Sequence, residues 1–307
     1  MRAPVLVMTL GSALFGAAFA WRDAHVDATV FALVVVGLLL AHAANNLLND
    51  WVDYRRGVDS PGYYRVEYGV HALAHGLMTE RAFLTALIVI GAGAAVCAAI
   101  LVAMCGSVVI LPIALGSVAL LFYTWPLKQL ALGEATVFAV WGPLMIGGTY
   151  AAFAGAWSWP VAFASCVLAL GPTAVIFAKH IDKRTADVGK GVYTLPAVLG
   201  DRRARAITRW MLAIQLPLLI ALAVVGELPW TTLVAVLAVP TLVRAWRTLC
   251  EAAPAVRPTE FPAAIWPLWH VAFVFDYVRR ATLLLIFAFA LDVAWSTGVS
   301  HGWIAAA

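Results

Sequence analysis

Amide and carboxylate side chains gather where an early apolar stretch of the chain ends. Asn46 precedes Asp50 by four residues. Asn49 precedes Asp53 by the same interval, and Asp50 lies three residues before Asp53. On a helix these spacings place the side chains on one adjoining face. A solvated helix end needs only a capping residue, so this many amides and acids indicate a site that binds a cation or a polar ligand.

A second charged group follows a later apolar stretch. It contains Asp182 and Asp187, together with Lys179 and Lys183. The two acids are five residues apart, too far round a regular helix to share a face. Either the helix loosens here or only one of them reaches inward. An anchor in which the acids merely balance the bases is the simpler interpretation, but two acidic groups at equivalent helix ends favour a binding site.

Carboxylates that face each other across a helix bundle, with amides and lysines nearby, suit one kind of ligand. Mg²⁺ binds one or two carboxylates and completes its coordination with water and substrate phosphate oxygens. Lys and Arg then neutralise the remaining phosphate charge. Because both acidic groups end apolar segments, we expect a diphosphate head at the interface and a hydrocarbon tail within the bundle. That description fits a prenyl diphosphate.

The composition indicates which elements must position these residues. Of 307 residues, 64% are apolar, and only 20 are basic and 16 acidic. A soluble domain is about 25% charged, so this composition, with a mean hydropathy of +0.92, excludes a soluble enzyme, a disordered chain and a nucleic-acid binder. The four cysteines form no CxxC pair, which predicts neither a disulfide framework nor a zinc site.

The apolar runs predict an all-α, polytopic bundle of nine transmembrane helices. A spanning helix needs about 20 mostly apolar residues. The segments that qualify are 4–21, 28–49, 83–103, 106–124, 134–154, 160–180, 207–226, 231–247 and 268–293. We interpret the first as a spanning helix rather than a signal peptide, because it has a single basic residue before it and another apolar run soon after. The whole chain, 1–307, is then one transmembrane domain.

The basic residues predict the orientation of this bundle. With the N-terminus in the cytoplasm, every Lys and Arg except Arg22 falls on the cytoplasmic side, as the positive-inside rule requires. This count assumes that the spanning part of the ninth segment begins near Arg279 and Arg280. Two cytoplasmic cap loops, about 50–82 and 181–206, carry or border the charged groups. We expect an integral protein of a bacterial inner membrane with its active site on the cytoplasmic side.

At these residues the sequence resembles the UbiA superfamily of intramembrane prenyltransferases. That family has an acidic signature of the form NDxxDxxxxxD, which is matched here by Asn49, Asp50, Asp53 and Asp59, with Asn46 one turn earlier. Its second signature is an Asp pair, DxxxD, after the sixth helix. Asp182 and Asp187 match it with one extra residue between them.

A narrower resemblance is to the branch that prenylates 1,4-dihydroxy-2-naphthoate for menaquinone. The blocks that carry it are 46–53, Gly57-Val58-Asp59, Tyr123-Thr124-Trp125-Pro126, Leu132-Gly133-Glu134, Gly142-Pro143-Leu144 and Lys190 with Thr194-Leu195-Pro196. The sequence departs from that branch at 179–183, where the branch has an Asn-rich NNxRD. The resemblance implies Mg²⁺-assisted ionisation of a prenyl diphosphate and attack by an electron-rich aromatic ring.

Other residues leave alternatives open. Lys128 follows Tyr123 by five residues, where the family often has a Tyr-xxx-Lys pair. It either contacts the diphosphate or acceptor, or anchors the chain at lipid headgroups. Glu134 is either catalytic or a helix N-terminal charge. His71 and His75, at i and i+4, are either a metal pair or part of a capping helix in a long loop of the kind that often forms a lid.

The sequence therefore predicts a Mg²⁺-dependent membrane prenyltransferase acting on a prenyl diphosphate and a small aromatic acceptor, in contact with lipid and not with nucleic acid. The predicted catalytic and metal-binding residues are Asp50, Asp53, Asp182 and Asp187. The predicted substrate-binding residues are Asn46, Asn49, Asp59, Arg65, Tyr123, Lys128, Lys179 and Lys183. The alternatives are a UbiA-type enzyme with a non-aromatic acceptor or none, such as a polar-lipid prenyltransferase or a terpene cyclase, and a cation-coupled transporter.

Overall fold

The computed structural model describes residues 5–67 and 69–300, and every regular element in this part of the chain is a helix. The α-helices are α1 (Leu6–Asp23), α2 (Ala28–Arg55), α3 (Tyr64–Glu67), α4 (Glu80–Cys105), α5 (Ile110–Phe122), α6 (Gly133–Ala139), α7 (Gly148–Ala154), α8 (Trp159–Gly189), α9 (Leu195–Leu199), α10 (Asp201–Val224), α11 (Val239–Cys250) and α12 (Trp269–Ser300). Short 3₁₀ segments precede α5, α11 and α12, and π-helical turns flank α6. The all-α prediction is confirmed.

Seven helical segments among the described residues are long and apolar enough to cross a membrane. They are Ala28–Arg55, Glu80–Cys105, Ser107–Leu127, Gly133–Ala154, Trp159–Gly189, Asp201–Val224 and Trp230–Cys250. The protein is therefore an integral membrane protein. Helices α1 and α12 coincide with the first and ninth predicted segments but are not among these seven, so the count of nine and the cytoplasmic N-terminus stay predictions. Residue 4, where the first predicted segment begins, lies outside the described residues.

The outer surface of the bundle is apolar. Helix α4 is the most hydrophobic span, yet its buried residues are only Phe83, Cys97 and Leu101. Large side chains such as Val89 and Leu111 are exposed to 64% and 65%. Such a surface is stable against lipid, where exposed apolar side chains carry no hydrophobic penalty.

Helix α8 is the centre of the bundle. It packs against α6, α10, α12 and the π-helical turn Val140–Gly147. Buried Leu168 on α8 belongs to a cluster with Phe15, Ile146 and Phe289, which come from three other helical segments. Burial on several sides holds α8 in a fixed position, so the charged residues near its C-terminal end are fixed with it.

A glycine and a proline shape the segment between α6 and α7. Pro143 lies inside the π-helical turn Val140–Gly147, where it cannot donate a backbone hydrogen bond. A Cβ on Gly142 would lie 2.9 Å from the Cβ of Ala169 and 3.0 Å from the carbonyl oxygen of Ser165. The missing side chain therefore lets this turn pack directly onto α8.

The two cap loops are shorter than predicted. Helix α2 continues to Arg55 and α8 to Gly189, so the acidic residues of both signatures, apart from Asp59, stand on helices rather than in loops. The connecting segments are 56–79, which contains α3, and 190–200, which contains α9. Helix α8 is continuous through 182–187. Of the two outcomes expected for Asp182 and Asp187, a loosened helix is therefore not observed, and only one of the two residues can reach inward.

Candidate active site

A cavity of about 1120 Å³ opens between α2, α4, α5, α8 and the α6–α7 segment. Most of its lining is apolar, including Leu38, Ile88, Leu120 and Trp141. Charged, amide and tyrosine side chains line it where α2 and α8 end and at the adjoining loops. These residues, with His180, are Asn45, Asn46, Asn49, Asp53, Asp59, Tyr63, Tyr64, Arg65, Tyr123, Lys128, Lys179, Lys183 and Asp187. We call this end of the cavity the polar mouth.

Helix α2 directs only part of its acidic stretch into the cavity. Asn46, Asn49 and Asp53, at i, i+3 and i+7, line it on one face, and Asn49 Nδ2 donates to Thr124 Oγ1 at 3.0 Å. Asp50 is one residue round the helix and turns to Arg65. Its two oxygens accept hydrogen bonds from Arg65 Nε at 3.1 Å and Nη2 at 2.9 Å, a bidentate pair that holds the connecting segment 56–79 against α2.

Asp53 and Lys128 form a buried ion pair at the polar mouth. Lys128 Nζ lies 2.7 Å from Asp53 Oδ2, and both residues are buried. Gly133 permits this arrangement, since a Cβ there would lie 3.2 Å from Lys128 Cα. Lys128 is thus a cavity residue, and the interpretation as a lipid-headgroup anchor is wrong.

Asp59 lies in the segment that covers the mouth and is held by His71. Burial, and then the negative charge of Asp53, raises the pKa of the Asp59 carboxyl above its usual range. His71 Nε2 lies 3.1 Å from Asp59 Oδ2, while His71 Nδ1 accepts from the backbone N–H of Ala74. Because Nδ1 accepts, Nε2 carries the proton and donates to Asp59.

The two histidines of this segment do not form a metal pair. His75 Nδ1 accepts from the backbone N–H of His71, and His75 Nε2 donates to the carbonyl oxygen of Val66. Both rings therefore stabilise the segment 56–79 over the polar mouth. Residues 71–78 cover the site as expected, but they form a loop and not the predicted helix.

Helix α8 supplies the opposite wall of the mouth. Lys179, His180, Lys183 and Asp187 line the cavity. Asp187 is buried, accepts a hydrogen bond of 2.5 Å from Tyr63 OH and lies 3.4 Å from Lys183 Nζ. Burial and the charge of Asp187 raise the pKa of Tyr63 well above its usual range, so Tyr63 remains a hydrogen-bond donor.

Asp182 points elsewhere. Its buried carboxyl group accepts hydrogen bonds from the backbone N–H groups of His270 at 3.0 Å and Val271 at 2.9 Å, and it lies 2.7 Å from His270 Nδ1. These groups form the first turn of α12, so Asp182 satisfies helix N-terminal donors that lack an intrahelical partner. The structure therefore brings Asp187 to the predicted site and leaves Asp182 outside it.

Several site residues have no signal in the spacing of the sequence. Tyr63 donates to Asp187, Thr124 accepts from Asn49, and His180 lines the cavity beside them. Each lies in or next to a segment that the motifs single out because of other residues. Tyr63 and Tyr64 both contact the C-terminal part of α8, since Tyr63 OH donates to Asp187 and Tyr64 OH donates to the backbone carbonyl oxygen of Asp182.

The donor set at the mouth fits a hard divalent cation. Asp53 Oδ1 is buried and has no hydrogen-bond partner among the described residues. Asp50, Asp59 and His71 each offer one possible ligand atom, and these three atoms lie within 4.8 Å of one another. A buried, unpartnered carboxylate oxygen is stabilised by a cation, and carboxylate oxygens are the ligands that Mg²⁺ prefers.

The sequence matches the model of the UbiA prenyltransferase family over residues 9–268. The chain belongs to this family and is a UbiA-family prenyltransferase. No curated protein matches it significantly by sequence.

Solved structures share the fold. The apo structure of a UbiA homologue from Aeropyrum pernix K1 is 18% identical, with a TM-score of 0.70 over 95% of this chain and 99% of that one. A UbiA homologue from Archaeoglobus fulgidus, bound to GPP and Mg²⁺, is 13% identical, with a TM-score of 0.65 over 95% and 97% of the two chains. A structure of digeranylgeranylglyceryl phosphate synthase is also 13% identical, with a TM-score of 0.62 over 94% and 93%.

Proposed function

We propose that the protein moves a prenyl group from a prenyl diphosphate to an aromatic quinone-precursor acceptor, with Mg²⁺ as its cofactor. The observation that carries this proposal is the division of the cavity into a charged mouth and an apolar remainder. Such a cavity suits a ligand with an anionic head and a hydrocarbon tail. The homologue bound to GPP and Mg²⁺ supports the same pair of ligands here.

The carboxylates at the mouth are the proposed metal ligands. Asp53, Asp59 and Asp187, with Asp50 beside Asp59, would hold Mg²⁺. When bound, the metal supplies Lewis-acid stabilisation of the diphosphate leaving group. This assignment keeps three of the four aspartates that the sequence predicts, adds Asp59 and omits Asp182.

The basic residues at the mouth are the proposed diphosphate ligands. Lys128, Lys183 and Arg65 line the cavity and already balance Asp53, Asp187 and Asp50. Their charge stabilises the negative charge that develops on the departing diphosphate. Asn46, Asn49, Tyr123 and Lys179 line the same region and complete the proposed substrate-binding set.

The transfer step forms one carbon–carbon bond. The bond between the allylic C1 and the diphosphate oxygen breaks, and its electron pair leaves with the diphosphate. A carbon of the electron-rich ring then bonds to C1, and the ring loses a proton to recover its aromaticity. The apolar walls of the cavity exclude water, which would otherwise capture the allylic cation.

The resemblance at Tyr123–Pro126 and 132–134 makes 1,4-dihydroxy-2-naphthoate the first acceptor to test. Purified protein in detergent is incubated with GPP, Mg²⁺ and this acceptor, 4-hydroxybenzoate or a glycerol phosphate, and products are identified by mass spectrometry. A geranylated aromatic compound is the expected product. A geranylated glycerol phosphate or a cyclised hydrocarbon would replace the aromatic acceptor with one of the alternatives.

We also propose that the mouth faces the cytoplasm of a bacterial inner membrane, as the distribution of basic residues predicts. A cation-coupled transporter is disfavoured by the placement of the charges. Transporters place ionisable residues near the bilayer midplane, whereas here they gather where α2 and α8 end.

A further inference from the structure

An arginine-rich surface lies where α10 begins and α11 ends, outside the cavity. The two helices pack against each other, and the stretches 201–210 and 241–251 together carry six arginines against two acids, Asp201 and Glu251. One arginine is balanced, since Arg205 Nη2 lies 2.8 Å from Asp201 Oδ2. The other five have no carboxylate partner among the described residues. We call these five the arginine patch: Arg202, Arg203, Arg209, Arg244 and Arg247.

Two tryptophans lie between the two helices at this surface. The guanidinium carbon of Arg209 lies 5.4 Å from the ring centre of Trp246 on α11, and the rings of Trp246 and Trp210 are in edge contact at 5.7 Å. Arg209 Nη1 donates to Cys250 Sγ at 3.1 Å, and a thiol is only a weak acceptor. Arg209 Nε is buried and has no hydrogen-bond partner in the part of the chain that the structure describes. The contacts therefore hold a cationic side chain in place without neutralising it.

The arginine patch borders an apolar surface on the same two helices, both of which are long and apolar enough to cross a membrane. Arg203 precedes Trp210 by two turns, so both lie on one face of α10. Trp210 is 66% exposed, and exposed Ile214 continues this face. On α11, Arg247 stands one turn after exposed Val243. Tryptophan between basic and apolar side chains is typical of the boundary between lipid headgroups and acyl chains, which places the arginines at the level of the headgroups.

This arrangement matches an anionic phospholipid. Guanidinium groups bind phosphate oxygens through paired, charge-assisted hydrogen bonds. The exposed apolar side chains next to the arginines offer a surface for acyl chains. A soluble acidic protein or a nucleic acid would match the charge but would leave the exposed tryptophan and the apolar side chains unused.

We propose that the arginine patch binds the headgroup phosphate of an anionic phospholipid, whose acyl chains lie along the exposed faces of α10 and α11. The proposal is independent of the proposed function, because no residue of the patch lines the cavity. Helix α10 packs against α8, and α8 supplies one wall of the polar mouth. The bound lipid therefore stabilises the scaffold behind that wall.

Native mass spectrometry of the full chain in detergent tests the headgroup preference. Phosphatidylglycerol and phosphatidylcholine with identical acyl chains are titrated separately, so that the two ligands differ in headgroup charge and share the same tail. A basic residue near an anionic lipid surface contributes about fivefold in affinity, so we expect two of the arginines alone to give the wild type at least about a thirtyfold preference for phosphatidylglycerol. This preference should decrease as ionic strength rises. Inorganic phosphate at the same concentration should not displace the lipid, because it has no acyl chains.

The double variant Arg203→Gln/Arg247→Gln removes one exposed arginine from each helix and breaks no ion pair among the described residues. We expect it to lose most of the preference for phosphatidylglycerol. The matched control is Arg81→Gln/Arg279→Gln, which removes the same charge from exposed positions outside the patch and leaves Arg280 paired with Asp276. The control should keep the preference of the wild type.

The comparison of headgroups in the wild type requires no variant, so it tests the proposal even if a variant fails to fold. Equal binding of the two lipids at low ionic strength would overturn the proposal and favour a soluble acidic partner. Displacement of phosphatidylglycerol by inorganic phosphate would also overturn it, since the patch would then bind a free anion. An equal loss of preference in the two double variants would overturn it as well, because net charge and not the patch would then attract the lipid.

Discussion

Asp182 and Asp187 stand five residues apart on α8, and about 500° of rotation at 100° per residue separates their directions by more than a third of a turn. Asp187 therefore faces Tyr63 and Lys183 at the polar mouth, while Asp182 faces the first turn of α12. The extra residue in the second acidic signature thus assigns one Asp to the site and the other to the scaffold.

Replacing each of these acids by Asn separates the two roles. We expect Asp187→Asn to lower kcat/KM at least about a hundredfold, the scale of losing one electrostatic stabiliser. Asp182→Asn removes a charged acceptor from the start of α12 and is expected to lower the free energy of unfolding by about 1–2 kcal/mol. Its folded fraction should retain activity within a fewfold of wild type. Thermal unfolding in detergent and steady-state kinetics measure both, and the reverse pattern would place Asp182 at the metal.

The charge of Asp53 is central to the mouth, because one of its oxygens pairs with Lys128 and the other has no partner among the described residues. Asp53→Asn keeps the shape and removes the charge, so we expect activity to fall at least about a hundredfold. The apparent affinity for Mg²⁺ should weaken in the same variant. Asp276→Asn, which alters an ion pair with Arg279 and Arg280 outside the cavity, is the matched control. Normal activity in Asp53→Asn would remove it from the site.

At the scale of elements, close helix contacts hold the cavity walls in place. A Cβ on Gly16 in α1 would lie 2.5 Å from Thr149 Cβ and 2.6 Å from the carbonyl oxygen of Ile146. The backbone of α1 therefore approaches the segment 146–149 more closely than any larger residue permits.

Gly16→Ala is expected to lower the free energy of unfolding by about 1–3 kcal/mol, because the methyl group forces backbone to move apart. Gly91→Ala in α4 is the control, since a Cβ at Gly91 meets no atom within 4 Å. That variant should be neutral or slightly stabilised by the higher helix propensity of Ala. Chemical or thermal unfolding of both proteins in one detergent tests the difference. Equal stability of the two variants would mean that α1 does not contact the segment 146–149 as described.

The sequence predicts the boundaries of a helix well where the length of its apolar run determines them, and poorly where packing against other helices determines them. The boundaries of α4, predicted as 83–103, fall within a few residues of Glu80–Cys105, because lipid and length constrain that helix more than its neighbours do. The C-terminal end of α8 lies nine residues beyond the predicted end at residue 180, because polar residues end an apolar run without ending a helix. The hydrogen bonds of Asp182 depend on the position of the first turn of α12 in the folded bundle. The spacing of residues around Asp182 does not contain this information.

The candidate site follows the same division. The cavity-lining face of Asn46, Asn49 and Asp53 is local and lies within the predicted face, whereas Asp50, predicted on that same face, turns to Arg65. The pairing of Tyr63 with Asp187 joins residues 124 positions apart, and that of Glu134 with His180 joins α6 to α8. Such pairs arise from the packing of the bundle. The sequence can therefore single out individual residues, but it does not predict which of them form a pair.

At the scale of the whole molecule, the polar mouth defines one end of the bundle. The segments 56–79 and 190–200 meet there, since Lys190 Nζ donates to Ser60 Oγ at 2.7 Å. The turns at Gly155 and Gly226 follow helices that run away from this end. The orientation of the molecule in the membrane therefore decides the side on which the chemistry occurs.

Single-cysteine labelling tests this orientation. In a variant without the four native cysteines, Gly62→Cys should react with a membrane-impermeant maleimide only after the cytoplasmic side is opened. Glu227→Cys should react in intact cells, because positive-inside topology places that turn outside. Labelling of position 62 in intact cells would reverse the predicted orientation.

The most direct test of the account is metal-dependent cleavage of a prenyl diphosphate at the polar mouth. Purified protein in detergent is supplied with GPP and an acceptor, and diphosphate release is followed with Mg²⁺, with EDTA, and after Mg²⁺ is restored. We predict release that requires Mg²⁺, is abolished by EDTA, returns on restoration, and is at least about a hundredfold slower in Asp53→Asn than in Asp276→Asn. Release that continues in EDTA, or that is equal in the two variants, would contradict the assignment of the mouth as a metal-assisted prenyl diphosphate site.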